Sequence, residues 1–203
     1  MTTAPAAPHP SSHRGSSLSA SDLPFDRLLT VDDWYALPEW SERYELYEGA
    51  LILMPAPSLR HQDVVLAIGS SFFDHAIRSG GMASVAPTGV VLSPVIGFEP
   101  DVLYLSASRI GLRSERGIEG APDIVVEVAS PGTRRFDLST KLPAYFRFGV
   151  LEVWIADPVR ETISVYFADE PNAPLTVAFG EQIPSRLVDI GNGMLDRLPR
   201  FDR

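Results

Sequence analysis

Two acidic residues in apolar surroundings are the strongest chemical signal in this chain of 203 residues. Glu127 lies between Val126 and Val128 in an aliphatic run, and Asp101 follows Pro100 at the start of another. A carboxylate among aliphatic side chains is costly to desolvate unless a cation, a metal ion or hydrogen bonds compensate it. Mg²⁺ prefers oxygen ligands and is often held by one or two carboxylates. These acids therefore predict a divalent-metal site, in which adjacent strands bring both carboxylates to one ion.

A third acid, Asp123, is a poorer ligand for the same ion. It lies on the same strand face as Glu127, but four residues of strand separate the two by roughly 13 Å. We therefore predict Asp101 as the partner of Glu127 and place Asp123 at the start of its strand. The structural alternative makes Asp101 another acid at the start of a strand and Glu127 one half of a buried ion pair.

Lys141 is the basic candidate, because it stands at helical spacing from Asp137 and Tyr145. Residues four positions apart share one face of a helix, so the spacing predicts a single stripe. A lysine there would stabilise charge on a phosphate or orient the attacking water. The alternative is a surface pair of Asp137 with Lys141, which contributes only about 0.2–0.5 kcal/mol. Pro143 indicates that the helix begins after Asp137 or is kinked beside Lys141.

His61 is the remaining polar candidate, at the expected N-terminal end of a long helix. Its imidazole would act there as a proton carrier or contact a phosphate. The alternative is a structural histidine in the capping region that packs near Val65. His9 and His13 fall in the N-terminal leader and carry no catalytic argument.

Composition and missing motifs exclude several other classes of site. Without cysteine the chain forms neither disulfides nor thiolate metal sites. Its net charge of −9 argues against a protein that coats nucleic acid regardless of sequence, but not against an enzyme with a local basic rim and bound cations. There is no P-loop, dinucleotide fingerprint or His-Glu-x-x-His helix. Neither Ser130 nor Ser139 has the base that a serine hydrolase needs.

Length and composition predict one globular domain. We expect a disordered leader over residues 1–22, a single domain over 23–197 and a tail over 198–203. The leader lacks the apolar segment of a secretory signal, and no apolar run approaches the roughly 20 residues of a membrane span. The sequence therefore predicts a cytoplasmic protein without a membrane partner.

Periodicity and turn residues predict the elements that must position these side chains. Residues 44–54 predict a hairpin that turns at Glu48-Gly49, and residues 61–79 an amphipathic helix. The other expected elements are a short helix capped by Thr30, strands at 83–86, 89–92, 100–105, 123–128, 151–156 and 162–167, a polar connection over 109–120, a helix at 137–148, and edge strands after 169. This order predicts an α/β (α+β) fold with a mixed central sheet flanked by helices and an N-terminal hairpin.

Motifs around the candidate residues resemble a known family. They are Glu45-Leu46-Tyr47-Glu48-Gly49, Arg60-His61-Gln62, Pro100-Asp101, the run from Ala121 to Pro131, Asp137 with Lys141 and Tyr145, and Gly149 to Trp154 followed by Asp157-Pro158. Over about Thr30 to Phe167 the chain is similar to the Uma-two family of restriction-endonuclease-like proteins, which belong to the PD-(D/E)XK class.

This resemblance implies a restriction-endonuclease-like αβββαβ core and Mg²⁺-dependent hydrolysis of phosphodiester bonds. By the same likeness Asp101 is the motif aspartate and Glu127 the motif acid. The usual signature has a lysine two residues after the acid, where this chain has Ala129. The family's pattern moves the role of that lysine to the following helix, which makes Lys141 the candidate. Glu45 matches an early acid of the family and would add a metal or water contact.

The predicted function is that of a Mg²⁺- or Mn²⁺-dependent endonuclease that cleaves nucleic acid, with DNA as the expected substrate. Arg134, Arg135 and Arg147 would form a basic rim that approaches the phosphate backbone. The alternative is a non-catalytic binding or assembly module, in which apolar edge strands, such as 153–155 or 162–167, pair with another copy. A homodimer fits both interpretations. A hydrolase of a smaller phosphodiester would use the same residues.

Overall fold

The computed structural model of the protein describes residues 27–38, 42–190 and Leu195. The predicted leader and the predicted tail lie outside these residues. The elements in chain order are α1 (Val31–Tyr35), β1 (Tyr44–Tyr47), β2 (Ala50–Leu53), α2 (Leu59–Ser79), β3 (Met82–Val85), β4 (Val90–Ser93), β5 (Ile96–Phe98), β6 (Val102–Leu105), β7 (Ile118–Glu119), β8 (Ile124–Val128), α3 (Arg134–Phe136), α4 (Leu142–Phe148), β9 (Glu152–Asp157), β10 (Thr162–Phe167) and β11 (Glu170–Ala178). A 3₁₀ helix at Ala107–Leu112 follows β6, and a π-helical turn at Asp137–Lys141 joins α3 to α4.

Helix α2 forms where the apolar spacing predicts it. It begins slightly earlier than expected, because the Ser58 hydroxyl accepts a hydrogen bond from the His61 backbone N–H and caps the first turn. It ends at Gly80, whose φ of 72° is the left-handed conformation that glycine adopts most readily. Neither α2 nor any other helix of the described residues is long and apolar enough to cross a membrane.

Two sheets form the β structure. The larger has the strand order β11-β10-β9-β8-β6-β3, and within it β8 is parallel to β9 and antiparallel to β6. The smaller has the order β2-β1-β5-β4-β7. The predicted mixed sheet with flanking helices is confirmed, as is the hairpin of β1 and β2. Strands β5 and β7 were not expected, because they have 3 and 2 residues, and such segments cannot show an alternating pattern.

The central strands of the larger sheet, β6, β8 and β9, are buried on both faces. Helix α2 packs on one face, with Phe72 and Ile68 against Val126. The segment with α3 and α4 packs on the other face, with Tyr145 and Leu142 in the same cluster as β5. Because the β6–β8 register pairs Val102 with Val126, the next position places Asp101 opposite Glu127.

The helical segment that carries Lys141 begins earlier than predicted. We call residues 134–148, which include α3, the π-helical turn and α4, the lysine helix. In the π-helical turn the Leu142 backbone N–H donates to the Asp137 carbonyl oxygen, five residues back. This wider turn lies directly ahead of Pro143, which has no N–H and would clash with the preceding turn of a regular α-helix. The proline is thus accommodated by a local change of helix type.

The expected self-pairing strands have no free edge. Residues 153–155 belong to β9, which lies between β8 and β10. Residues 162–167 form β10, whose other side is covered by β11. The prediction that these strands serve as edges is therefore wrong, because the segment after residue 169 adds the outer strand. The prediction of an edge strand in that later segment is confirmed.

Two adjacent phenylalanines on α2 provide a test of which helix face is buried. Phe72 is fully buried against Trp154, with ring centroids 5.0 Å apart, whereas Phe73 is 58% exposed. We expect Phe72→Ala to lower the free energy of unfolding by about 3–5 kcal/mol. Phe73→Ala should change it by less than about 0.5 kcal/mol. Urea unfolding measures both, and equal losses would contradict the assigned orientation of α2.

Candidate active site

A cleft of about 300 Å³ lies where the start of β6 and the end of β8 meet the lysine helix. Its rims are two loops, at residues 54–58 before α2 and 130–133 after β8. The cleft is lined by all the residues predicted for the site, namely Glu45, His61, Asp101, Glu127 and Lys141. The structure therefore brings together side chains from β1, α2, β6, β8 and the lysine helix.

The Lys141 ammonium lies at the centre of this cluster. Its Nζ is 2.7 Å from Glu127 Oε1 and 2.8 Å from Glu45 Oε1, and the side chain is only 1% exposed. Asp137 Oδ1 lies 4.0 Å from the same nitrogen, and Asp137 is also buried. The alternative of a surface pair between Asp137 and Lys141 is therefore wrong, because the helix face that carries them is turned inward.

Burial and charge act against each other on these groups. Burial works to lower the pKa of Lys141, but the carboxylates of Glu127 and Glu45 outweigh it and raise that pKa above its ordinary value. Burial raises the pKa of Glu127 well above its ordinary value, and Lys141 offsets this only in part. The carboxylates therefore favour the charged form of Lys141, while for Glu127 burial disfavours the ionised form and Lys141 favours it.

Tyr145 holds the Glu127 carboxylate from the next turn of the lysine helix. Its hydroxyl donates a hydrogen bond of 2.6 Å to Glu127 Oε1. Burial and the nearby Glu127 charge raise the pKa of Tyr145 well above its ordinary value, so the phenol remains a donor. The stripe predicted from the spacing of Asp137, Lys141 and Tyr145 thus faces the acid of β8.

Asp101 is fixed by the strand opposite and by α2. Its Oδ2 accepts a hydrogen bond of 2.7 Å from the Val128 backbone N–H and lies 3.2 Å from His61 Nε2. Burial works to lower the pKa of His61, but the hydrogen bond and charge of Asp101 outweigh it and raise that pKa. The His61 backbone N–H also donates to the Ser58 hydroxyl that caps α2. His61 therefore combines a structural contact with a contact in the site.

Several carboxylate oxygens of the cluster lack a donor. Glu45 Oε2 and Asp137 Oδ1 are buried and have no hydrogen-bond partner. Asp101 and Glu127 make their contacts through Oδ2 and Oε1 respectively, which leaves the second oxygen of each for a further ligand. Unpaired buried acceptors are costly, and a cation or an ordered water would compensate them.

This donor set fits a hard divalent cation. Carboxylate oxygen is the ligand that Mg²⁺ prefers, and such an ion needs only one or two carboxylates, with water and a substrate phosphate completing its shell. Among the described residues no group of three or more His, Cys, Asp or Glu side chains is arranged so that it could hold a metal ion. A bound ion would therefore depend on two protein carboxylates and on non-protein oxygens.

Asp123 takes no part in the cluster. It is buried at the start of β8, where its Oδ2 accepts a hydrogen bond of 2.6 Å from the Ser106 backbone N–H. Its Oδ1 lies 3.3 Å from Arg109 Nε. This acid therefore ties β8 to the segment that follows β6, at the end of the strand remote from Glu127.

The predicted basic rim is only partly present. Arg134 pairs with Asp157, and Arg147 lies over the Phe148 ring at the end of the lysine helix remote from Lys141. Arg135 is exposed. The arginine that lines the cleft is Arg43, which sequence reasoning missed because no spacing signal connects β1 to Asp101.

The order α2, β3, β6, β8, lysine helix, β9 reproduces the αβββαβ core of restriction-endonuclease-like proteins. The crystal structure of a "putative nuclease belonging to DUF820" from Anabaena variabilis has this fold in common, with a TM-score of 0.67 and 20% sequence identity. The match covers 82% of this chain and 97% of that one. A sequence model of the Uma2 family, described as "Putative restriction endonuclease", matches residues 31–191, and the chain belongs to this family. No curated protein matches the sequence.

The central ion pair gives a first test of the site. We expect Lys141→Met to lower the free energy of unfolding by about 3–5 kcal/mol, because it leaves Glu127 and Glu45 buried without a counterion. Adding Glu127→Gln to Lys141→Met should recover part of this loss. Urea unfolding of the single and double variants measures the coupling, and strictly additive losses would argue against a direct pair.

Asp137 gives a second test, through pH. Burial raises its pKa from 3.8 to about 6, so the folded protein disfavours the ionised form. The stability that this group contributes below its unfolded pKa is lost as the pH rises through about 6, a difference of about 3 kcal/mol at most. Asp137→Asn should therefore be more stable than the wild type at pH 8, with little difference near pH 4.

The control for this pH test is Asp74→Asn, at an exposed position of α2. It removes a surface carboxylate and provides the baseline against which the pH dependence of Asp137→Asn is compared. Lower stability of Asp137→Asn at pH 8 would mean that the attraction between Asp137 and Lys141 exceeds the cost of burying the carboxylate.

Proposed function

We propose that this protein is a nuclease that hydrolyses phosphodiester bonds of nucleic acid, with DNA as its substrate and Mg²⁺ or Mn²⁺ as its cofactor. The observation that supports this most is the convergence of Asp101, Glu127 and Lys141 on one cleft. The family description and the nuclease named for the similar structure agree with it.

Asp101 and Glu127 are the residues that would hold the metal ion, because they face each other across β6 and β8 and each keeps an oxygen available. Such an ion, when bound, polarises the scissile phosphate and lowers the pKa of a bound water. Glu45 and Asp137 add negative charge near the same point, which strengthens the attraction for a cation.

Three further residues of the chain would orient the carboxylates and supply positive charge and a proton at this site. Lys141 favours the ionised form of Glu127 and would place its positive charge beside the phosphate on which charge accumulates. Tyr145 fixes the direction of the Glu127 carboxylate through its hydroxyl. His61 would hold a proton beside Asp101 and donate it to the leaving group of the cleaved phosphodiester.

The non-catalytic module remains the rival function. A module that had lost the chemistry would tolerate Asp101, Glu127 and Lys141 splayed apart or sealed from solvent. The three converge on one cleft, which supports the nuclease, but Lys141 and Glu127 are buried within it, with 1% and 5% of their side chains exposed, and Asp101 keeps 15%. Glu127 is nevertheless one half of a buried ion pair, as the structural alternative proposed. Metal binding separates the two functions, since only the nuclease requires it.

The decisive experiment is a calorimetric titration with Mn²⁺. We expect saturable binding to the wild type, and a loss of affinity of more than about 100-fold in both Asp101→Asn and Glu127→Gln, since even residues that only support metal ligands cost about 10–100-fold. Asp74→Asn, which lies outside the cleft, should bind like the wild type. Absence of wild-type binding, even with a non-cleavable oligonucleotide present, would favour the module.

Cleavage assays complete this test. With Mg²⁺ or Mn²⁺ present, the wild type should cut DNA and Asp101→Asn should not, while circular dichroism and urea unfolding show the variant folded. Undiminished cutting by Asp101→Asn would rule out the assignment of this residue.

A further inference from the structure

A second pocket adjoins the cleft. It has a volume of about 560 Å³, within the usual range of small-ligand sites. Aromatic and apolar side chains supply most of its wall, namely Trp34, Tyr35, Leu37, Pro38, Tyr44 and Pro87. Arg43 and Glu99 line both this pocket and the cleft, so they form the ridge between the two.

The ridge carries a guanidinium that is accessible from both sides. Arg43 Nη2 lies 2.9 Å from Glu99 Oε2, and the arginine side chain keeps 39% of its surface exposed. A partly exposed arginine is well suited to contact a phosphate group, because it offers several N–H donors in one plane. A chain of phosphates that enters the cleft would therefore pass Arg43 before it reaches the second pocket.

Two of the three rings in the pocket are already covered. The Trp34 indole N–H donates to the Tyr44 carbonyl oxygen at 2.6 Å, and the Trp34 ring packs so closely on Gly97 that an added Cβ there would lie 2.5 Å away. Arg116 covers the Tyr35 ring at 4.3 Å from its centroid. These two rings form the fixed wall of the pocket.

Tyr44 provides the remaining ring. Its hydroxyl donates to Glu42 Oε2 at 2.9 Å, which anchors the ring at one end. Within the described residues no aromatic ring or cation lies over it, in contrast to Trp34 and Tyr35. A planar, partly exposed phenol ring at the wall of a pocket offers a surface on which a nucleobase stacks.

From this geometry we infer that the second pocket binds one unpaired nucleobase of the strand whose phosphodiester lies in the cleft, stacked on Tyr44. A base within a duplex is covered on both faces, so only an unpaired base can enter a concave aromatic site. This inference rests on the proposed function and narrows its substrate to single-stranded or locally unpaired nucleic acid.

The test compares two substitutions of the same residue. Tyr44→Phe keeps the ring, whereas Tyr44→Leu keeps the bulk and removes the π face. The probes are a fluorescently labelled oligothymidylate, the same strand with abasic sites, and a duplex of equal length, each measured by anisotropy in EDTA so that no cleavage occurs. Tyr44→Leu should weaken oligothymidylate binding about 5- to 150-fold, and Tyr44→Phe by less than about twofold.

Binding of the abasic strand should be the same for the wild type and both variants, because it retains phosphates without bases. Leu37→Trp, which places a large side chain in the pocket, should reproduce the loss if Tyr44→Leu does not fold. Equal binding of oligothymidylate by the Leu and Phe variants would overturn the inference. So would tighter wild-type binding of the duplex, or an equal loss for the abasic strand.

The outcome is independent of the outcome for the nuclease. Base-dependent binding in a protein that cleaves nothing would uphold the pocket and reject the proposed function. Cleavage of nucleic acid by a protein in which Tyr44→Leu and Tyr44→Phe bind alike would reject the pocket and leave the proposed function intact.

Discussion

One buried cation constrains this structure more than any other group. The Lys141 ammonium is almost without solvent contact, and its desolvation is compensated only if Glu127 and Glu45 are within hydrogen-bond distance. Those partners come from different sheets, and the lysine comes from a helix that changes type one turn before Pro143. Strands β1 and β8 must therefore both pack against the lysine helix so that Glu45 and Glu127 come within hydrogen-bond distance of the same nitrogen.

A lysine in this position does not neutralise the cluster. Carboxyl groups of Glu45, Asp101, Glu127 and Asp137 outnumber the one ammonium, and burial raises the pKa of both Glu127 and Asp137. Excess negative charge in low dielectric is tolerated by protonation or by a further cation. The same arrangement thus serves as a structural ion pair and as an attractive place for a divalent ion, so the two interpretations of Glu127 are not exclusive.

Sequence patterns were sufficient for the local elements but not for their long-range pairing. The spacing of apolar residues predicted α2, and the polarity conflict at Glu127 pointed to the cluster. Helical spacing from Asp137 and Tyr145 suggested Lys141, and the resemblance to a family supported it and added Glu45. Strand β5, the contact of Glu45 with Lys141 and the position of Arg43 depend on pairing across some fifty to a hundred residues, which no local period encodes. The inward orientation of Asp137 likewise arises from packing, since its spacing fits a surface pair equally well.

The placement of Glu45 makes the site depend on the contact between the two sheets. This residue belongs to the smaller sheet, and β1 joins the neighbouring β5 through a register of one residue pair, Leu46 with Gly97. Small peripheral units open more readily than the centre of a fold. Detachment of the hairpin would remove one counterion of Lys141 and the part of the cleft wall that carries Arg43. A chain in which only the larger sheet has formed would therefore carry an incomplete site.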